Sequence, residues 1–312
     1  MVKHLGPLGY LLAVVSLTAI VLEVLAFKFV FKRVYDWRAA LGTIGVIVGR
    51  SFTRFIPVAI MLPGAYWLYE HRLFDATSLG GWSWVVLFFG LEFFYYWYHR
   101  FGHRLRWFWL THAVHHTSNQ LTLLAAGRLG WTPQLTGVYI VLSPLALLGF
   151  SPENILAAYA LNLTYQFWIH ADWIPKLGPL EGILNTPSAH RVHHASNLDY
   201  LDANYGGVLV IFDRLFGTYV PERDDLPCRY GLVHPLTTNN PLEIALHQFG
   251  PFLRDVRSAR GPREVWGYFF APPGWRPDGN SETTEDMRRK AATGERVTAP
   301  APADPVPNTA AV

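Results

Sequence analysis

Eight of the chain's histidines fall in three tight groups, at the spacing of metal ligands. The groups are His99-Arg-Phe-Gly-His103, His112-Ala-Val-His115-His116 and His190-Arg-Val-His193-His194, with a single His170 between the last two. A uniform scatter of the 13 histidines would leave about four in residues 99–194, and nine fall there. On a helix, residues three and four apart share a face, so each group presents its imidazoles together. Neutral imidazole is the commonest biological metal ligand and suits iron, copper, zinc and nickel. Nine imidazoles exceed what one ion accepts. His99, His103, His112, His115, His116, His170, His190, His193 and His194 therefore read as the ligands of two ions. His4, His71, His234 and His247 lack such neighbours and read as ordinary surface or loop histidines.

Missing residues narrow the chemistry. No acid lies inside any of the three motifs, so the general base of a His-Glu-x-x-His hydrolase is absent. The glutamate ligands of soluble di-iron carboxylate bundles are absent too. Cys228 stands alone, which excludes an internal disulfide, a CxxC redox pair and a cysteine-held cluster. An all-imidazole site with open positions suits oxygen binding and activation at iron, with O2 as co-substrate. Hydroxylation of a C–H bond and removal of two hydrogens are both open to such a site. A non-catalytic membrane metalloprotein is the alternative from another class.

The elements that must position these residues are apolar. Hydrophobic residues make up 51% of the 312 and charged residues 16%, against a usual charged share of roughly 25%. Several stretches approach the ~20 residues that cross a bilayer. Expected spans are residues 5–27, 55–69, 82–98, 131–149 and 152–170, the last two a hairpin turning at Gly149-Phe150-Ser151-Pro152. Residues 5–27 read as a retained helix and not a signal peptide, because Lys28, Lys32, Arg33 and Arg38 follow the apolar run. Those charges mark the cytoplasmic end. Residues 39–54 read as an interfacial helix. Every histidine group then lands on the cytoplasmic face. The expected fold is all-α: an integral, multi-pass membrane protein with four or five embedded helices under a helical cytoplasmic cap that holds the dimetal site. Residues 1–270 form that domain, and 271–312 read as a disordered Pro/Ala-rich tail. The net charge of +3 is slight and forms no basic stripe, so no nucleic-acid partner is expected.

At the histidine motifs the sequence resembles the fatty acid hydroxylase/sterol desaturase superfamily. The likeness extends through Tyr95-Tyr96-Trp97-Tyr98-His99-Arg100, Asn185-Thr186-Pro187, Asp202-Ala-Asn204-Tyr205-Gly206 and Asp213-Arg214-Leu215-Phe216-Gly217-Thr218. It implies a non-haem di-iron centre acting on a fatty acyl, ether lipid or sterol substrate from the bilayer. Asn162-Leu-Thr-Tyr165-Gln166-Phe167-Trp168-Ile-His170, Tyr230-Gly231-Leu-Val-His234-Pro235 and Pro273-Gly274-Trp275 are most similar to the alkylglycerol monooxygenase-like branch. That branch implies tetrahydrobiopterin as reductant. Its first motif is followed by Glu, where this chain has Arg104.

Around the ligands, Glu92 lies two helical turns before His99, and Asp202, Asn204 and Asp213 follow the last motif. Ligand imidazoles usually have such partners on their second nitrogen, so these four are candidates for that role. Arg128 and Arg191 read as membrane-surface anchors. Two electrons per turnover must come from outside, because the chain has neither a dinucleotide fingerprint nor cysteines for a cluster. Arg100, Arg104 and Arg106 form a candidate docking surface for an acidic ferredoxin- or cytochrome-type carrier, and tetrahydrobiopterin is the rival donor.

Overall fold

The computed structural model describes residues 2–53 and 55–295, and among them no β-strand forms. The helices are α1 (Val2–Phe29), α2 (Trp37–Thr53), α3 (Phe55–Glu70), α4 (Trp82–Arg104), α5 (Arg106–His112), α6 (Pro133–Thr136), α7 (Val138–Leu142) and α8 (Pro144–Leu147). They continue with α9 (Pro152–Trp168), α10 (Pro187–His193), α11 (Ile211–Leu215), α12 (Pro241–Leu246), α13 (Phe249–Ser258), α14 (Pro262–Phe270) and α15 (Thr284–Ala292). Helix α4 is the spine. Its Leu87 and Leu91 meet Val138, Leu142, Leu145 and Ile155 in the largest buried apolar cluster, so α7, α8 and α9 seat against it.

One described helix, Gly9–Phe29 within α1, is long and apolar enough to cross a membrane. Its Glu23 is buried and accepts the Leu123 N–H and the Trp173 indole N–H, which ties the helix to the core. At its C-terminal end Arg33 makes a two-pronged ion pair with Asp172, two residues past His170. Helix α2 turns an apolar stripe outward: Trp37, Leu41, Ile44, Val48 and Phe52 are all exposed.

Two expectations change. Residues 131–149 do not form one span but three short helices, α6 to α8. Gly137 adopts φ +147 between the first two, a conformation that favours glycine. A Cβ there would also strike the Phe108 ring. Pro144, which has no N–H to give, opens the third. The tail expected from residue 271 begins instead with packed structure. The Trp275 ring lies over Gly267 and meets Tyr268 edge-on, and α15 opens with a capping box between Thr283 and Asp286. Low hydrophobicity misled here, because this segment is fastened by caps and charged hydrogen bonds. Residues 296–312 of that tail, and Arg54, lie outside the described residues.

Candidate metal centre

The nine histidines converge. Helix α4 delivers His99 and His103 from one face, and α5 ends at His112, held close because Gly102 has no Cβ to meet the His112 ring. The chain then turns through Ala113 and Val114, so His115 and His116 sit in a 3-10 turn and not on a continued helix. His170 follows the end of α9. Thr186 caps α10 by accepting the Ala189 N–H, and that helix carries His190, His193 and His194 at its C-terminal end.

The cluster divides into five and four. His99, His103, His112, His116 and His193 form one group, and His115, His170, His190 and His194 the other. Each residue offers one nitrogen within 4.8 Å of the others in its group. The groups lie side by side, with the His116 and His194 rings stacked at 4.5 Å. Helical spacing predicts a shared face within each motif; the structure splits the second motif, because α5 ends at His112, and on α10 it sets His193 in one group and His190 and His194 in the other.

Ring orientation gives the groups their chemical meaning. The Nδ1 atoms of His99, His115, His170 and His193 donate to the carbonyls of Tyr205, Arg128, Gln166 and Ala203. A neutral ring that donates through Nδ1 keeps a lone pair on Nε2. His115 Nε2 and His170 Nε2 nevertheless face each other at 3.2 Å, where two lone pairs repel. The Nε2 of His112 likewise lies 3.1 Å from those of His99, His103 and His116, and His190 Nε2 lies 3.1 Å from those of His170 and His194. Buried His193 Nε2 has no hydrogen-bond partner. With metal–nitrogen bonds of about 2.1 Å, two ligands at right angles sit ~3.0 Å apart. A cation inside each group turns this repulsion into ligation, so the residues fit a pair of ions.

Burial also favours the neutral form of six of the rings. It pushes the His115 imidazole down to about 4, and those of His112, His116, His190, His193 and His194 well below the usual histidine value. Neutral imidazole is the form that binds a metal.

Of the four candidates for partners of ring nitrogens, only Asp202 reaches a ring, with Oδ1 3.5 Å from His103 Nδ1. Burial pushes the Asp202 carboxyl up, but His103, Arg104 and Thr284 outweigh it and hold the group below the ordinary carboxylate range. Glu92 instead accepts the Val208 and Leu209 N–H groups and the Asn162 amide. Asn204 fastens Ala189 and Val220, and Asp213 takes the N–H groups of Tyr205 and Gly206. These three shape the backbone whose carbonyls hold the rings. Sequence reasoning missed the carbonyls themselves; those of Ala203 and Tyr205 follow Asp202 and Asn204 at left-handed φ, a conformation that Asp and Asn take more readily than other non-glycine residues.

The arginines are committed within the chain. Arg128 is buried and donates to Thr43, Thr117 and the Ala39 carbonyl, and Arg191 pairs with Glu222 and donates to the Asp172 and Ile174 carbonyls. Neither is a surface anchor. Arg104 pairs with Asp202 and Glu285, Arg106 with Asp255, and Arg100 donates to the Tyr96 hydroxyl.

Two cavities reach the cluster. An apolar one of about 240 Å³, walled by Ile20, Ile47, Leu124, Leu163 and Phe167, touches His99, His112, His115 and His170. A more polar one of about 370 Å³, walled by Trp109, Asp202, His234, Trp275 and Glu282, touches His103, His116 and His193. His234 belongs to this wall, and neither it nor His71 or His247 joins the metal groups.

Residues 84–218, which contain all nine histidines, match the family described as Fatty acid hydroxylase. The chain carries a fatty acid hydroxylase domain. That domain is similar to curated relatives as well. Alkylglycerol monooxygenase of Homo sapiens is 39% identical over 221 residues, 70% of this chain and 48% of the relative. Its Danio rerio counterpart is 42% identical over 197 residues, 63% of this chain and 43% of the relative. An ornithine lipid hydroxylase of Rhizobium tropici is 34% identical over 128 residues, 41% of this chain and 39% of the relative. The matched stretches thus span less than half the length of these relatives. No solved structure matches the chain.

Proposed function

We propose that the chain is a membrane-embedded, non-haem di-iron oxygenase that hydroxylates a C–H bond of a lipid with O2. One observation carries the metal reading: the facing Nε2 lone pairs of His115 and His170, each fixed by its carbonyl. The lipid reading draws on relatives named for alkylglycerol monooxygenation and lipid hydroxylation. It draws also on the apolar cavity, whose wall includes Ile20 of α1.

When bound, the ions supply the activation of dioxygen. The chain's own residues do the rest. The apolar cavity takes the alkyl chain, excludes water and aims one C–H bond at the face formed by His99, His112, His115 and His170. Backbone carbonyls keep His99, His115, His170 and His193 from rotating, and burial disfavours protonation of His112, His115, His116, His190, His193 and His194. Two electrons per turnover come from outside the chain. With Arg104 and Arg106 already paired to carboxylates, the arginine surface offers little to an acidic carrier protein. The polar cavity against His103, His116 and His193 favours a small water-soluble donor, the class to which tetrahydrobiopterin belongs.

Helices α1 to α4 and α9 are the membrane-embedded set in this reading, supported by the exposed stripe of α2 and by Trp82, Trp84, Val85 and Phe89 of α4. The histidines lie at the cytoplasmic end, beside Lys28 and Lys32. Cysteine labelling is expected to find residues 117 and 197 on the same face.

The test is product analysis with purified, reconstituted protein. Two iron ions per chain and a product heavier by one oxygen are expected. A product lighter by two hydrogens makes the chain a desaturase. Full cellular function in a chain lacking both His115 and His193 would refute the metal reading. Comparing the lipids of a deletion strain with its parent identifies the substrate.

A further inference from the structure

Three of the five histidines in the larger group take their orientation from one loop. Tyr205 and Ala203 supply the carbonyls for His99 and His193, and Asp202 faces His103. From the 206 side this loop is well fastened, because Asp213 takes the Tyr205 and Gly206 N–H groups and Asn204 bonds Val220. On the 202 side Ser196, Asn197 and Tyr200 bond the 223–229 segment, and α15 adds fastenings next to Asp202 itself. Arg288 donates to the carbonyls of Leu198 and Leu201, at 3.3 and 2.8 Å. Glu285 pairs with Arg104 at 2.5 Å, and the same guanidinium pairs with Asp202 at 2.8 Å. Thr284 and Met287 of the same helix wall the polar cavity.

Among the described residues, no ring of the four-membered group bonds this loop directly; apart from His193, the loop reaches α10 through Asn204 on the Ala189 carbonyl. His115 and His170 are held by the carbonyls of Arg128 and Gln166, which belong to the helical core.

We propose that α15 is a positioning strap for the five-histidine group alone: through Arg288 and the Glu285–Arg104–Asp202 chain it fixes the loop that aims His103, His193 and His99. Arg104, an oddity at the sequence level beside the alkylglycerol monooxygenase-like branch, is the middle link of this chain. The inference rests on the reading of the two groups as a metal centre.

The test uses the full-length chain in detergent, loaded with Co²⁺ and challenged with a chelator. The variant is Glu285→Gln with Arg288→Ala. One of the two ions is expected to leave about tenfold faster, the scale on which partners of ligand histidines act, while the other leaves at the wild-type rate. Placing the pair of substitutions in a His190→Ala background assigns the ion: the one that background retains must become labile. In a His103→Ala background the retained ion must not respond. Glu285→Asp with Arg288→Lys is expected to restore slow release, which general loss of folding would not allow. Equal acceleration of both ions, or of neither, overturns the strap. A second arm needs no metal. In metal-free protein, amide hydrogen exchange across residues 197–205 is expected to quicken in the double variant, and unchanged exchange there also overturns the proposal. A wild-type chain that binds no Co²⁺ refutes the metal reading instead, and the exchange arm still decides the strap.

Discussion

Glu92 offers the sharpest test of how the centre is held. Its carboxylate accepts Val208 N and Leu209 N at 2.9 and 2.8 Å, and the Asn162 amide at 2.5 Å. Asn162 in turn accepts the Gln166 amide, and Gln166 accepts the Tyr95 hydroxyl. Glu92→Leu keeps the volume and strands three donors at a site only 1% exposed. Each stranded buried donor costs about 1–3 kcal/mol, so the loss is about 3 kcal/mol at the least. Glu92→Gln behaves differently. Its oxygen can face the two backbone N–H groups, its NH2 can face Asn162, and Asn162 and Gln166 can each turn end for end. The reversal finishes at the Tyr95 hydroxyl, which accepts as readily as it donates. That variant is expected to lose about 1 kcal/mol. Melting in detergent reads the difference at roughly 2–4 °C per kcal/mol: a fall of about 6 °C or more for Leu and about 2–4 °C for Gln. If Leu melts like the wild type, or Gln falls as far as Leu, the hydrogen-bond account is wrong.

Three further outcomes follow from the geometry. Ala126→Trp fills the apolar cavity and is expected to abolish turnover of long-chain lipids while leaving the metal content unchanged, read by product mass spectrometry and metal analysis on the same sample. Gly102→Ala brings a Cβ to about 3.1 Å from the His112 ring; chelator challenge is expected to show faster loss from the five-histidine group, by about tenfold. Arg191, Ser188 and Lys176 hold the Glu222 carboxyl below its unfolded value of 4.5 despite burial, which pushes it up. Its stabilisation is therefore present above about 4.5 and lost as pH falls through the folded value; Glu222→Gln is expected to flatten that acid limb of the melting profile.

The clustering of the nine histidines was legible in the sequence because chance rarely supplies three groups of one polar side chain at helical spacing. Their partition was not. The split of the second motif depends on α5 stopping at His112, and no glycine or proline follows until Gly127 to signal that stop. The orienting groups were hidden for a different reason. Carbonyls at residues 128, 166, 203 and 205 exist whatever side chain stands there, so residue types cannot mark them. Glu92, Asn204 and Asp213 drew notice as polar residues in an apolar protein, yet they act one step further out, on the backbone. The apolar run of residues 131–149 looked like a span by composition alone, and Gly137 was the discordant residue. Helix α15 was missed because charge and low hydrophobicity read as disorder, whereas Arg288 and Glu285 are attached to groups far away in sequence.

The two cavities approach the histidines from different sides and share no wall residue. On the proposed function, a greasy reactant and a hydrophilic one have separate doorways and do not queue for one. Saturating either is expected to leave the other free to arrive, giving intersecting and not parallel double-reciprocal plots. A detergent molecule lodged on the greasy side would compete with lipid alone. Chain-length preference could then be re-engineered at Ile47, Leu163 or Phe167 without altering what the opposite doorway admits.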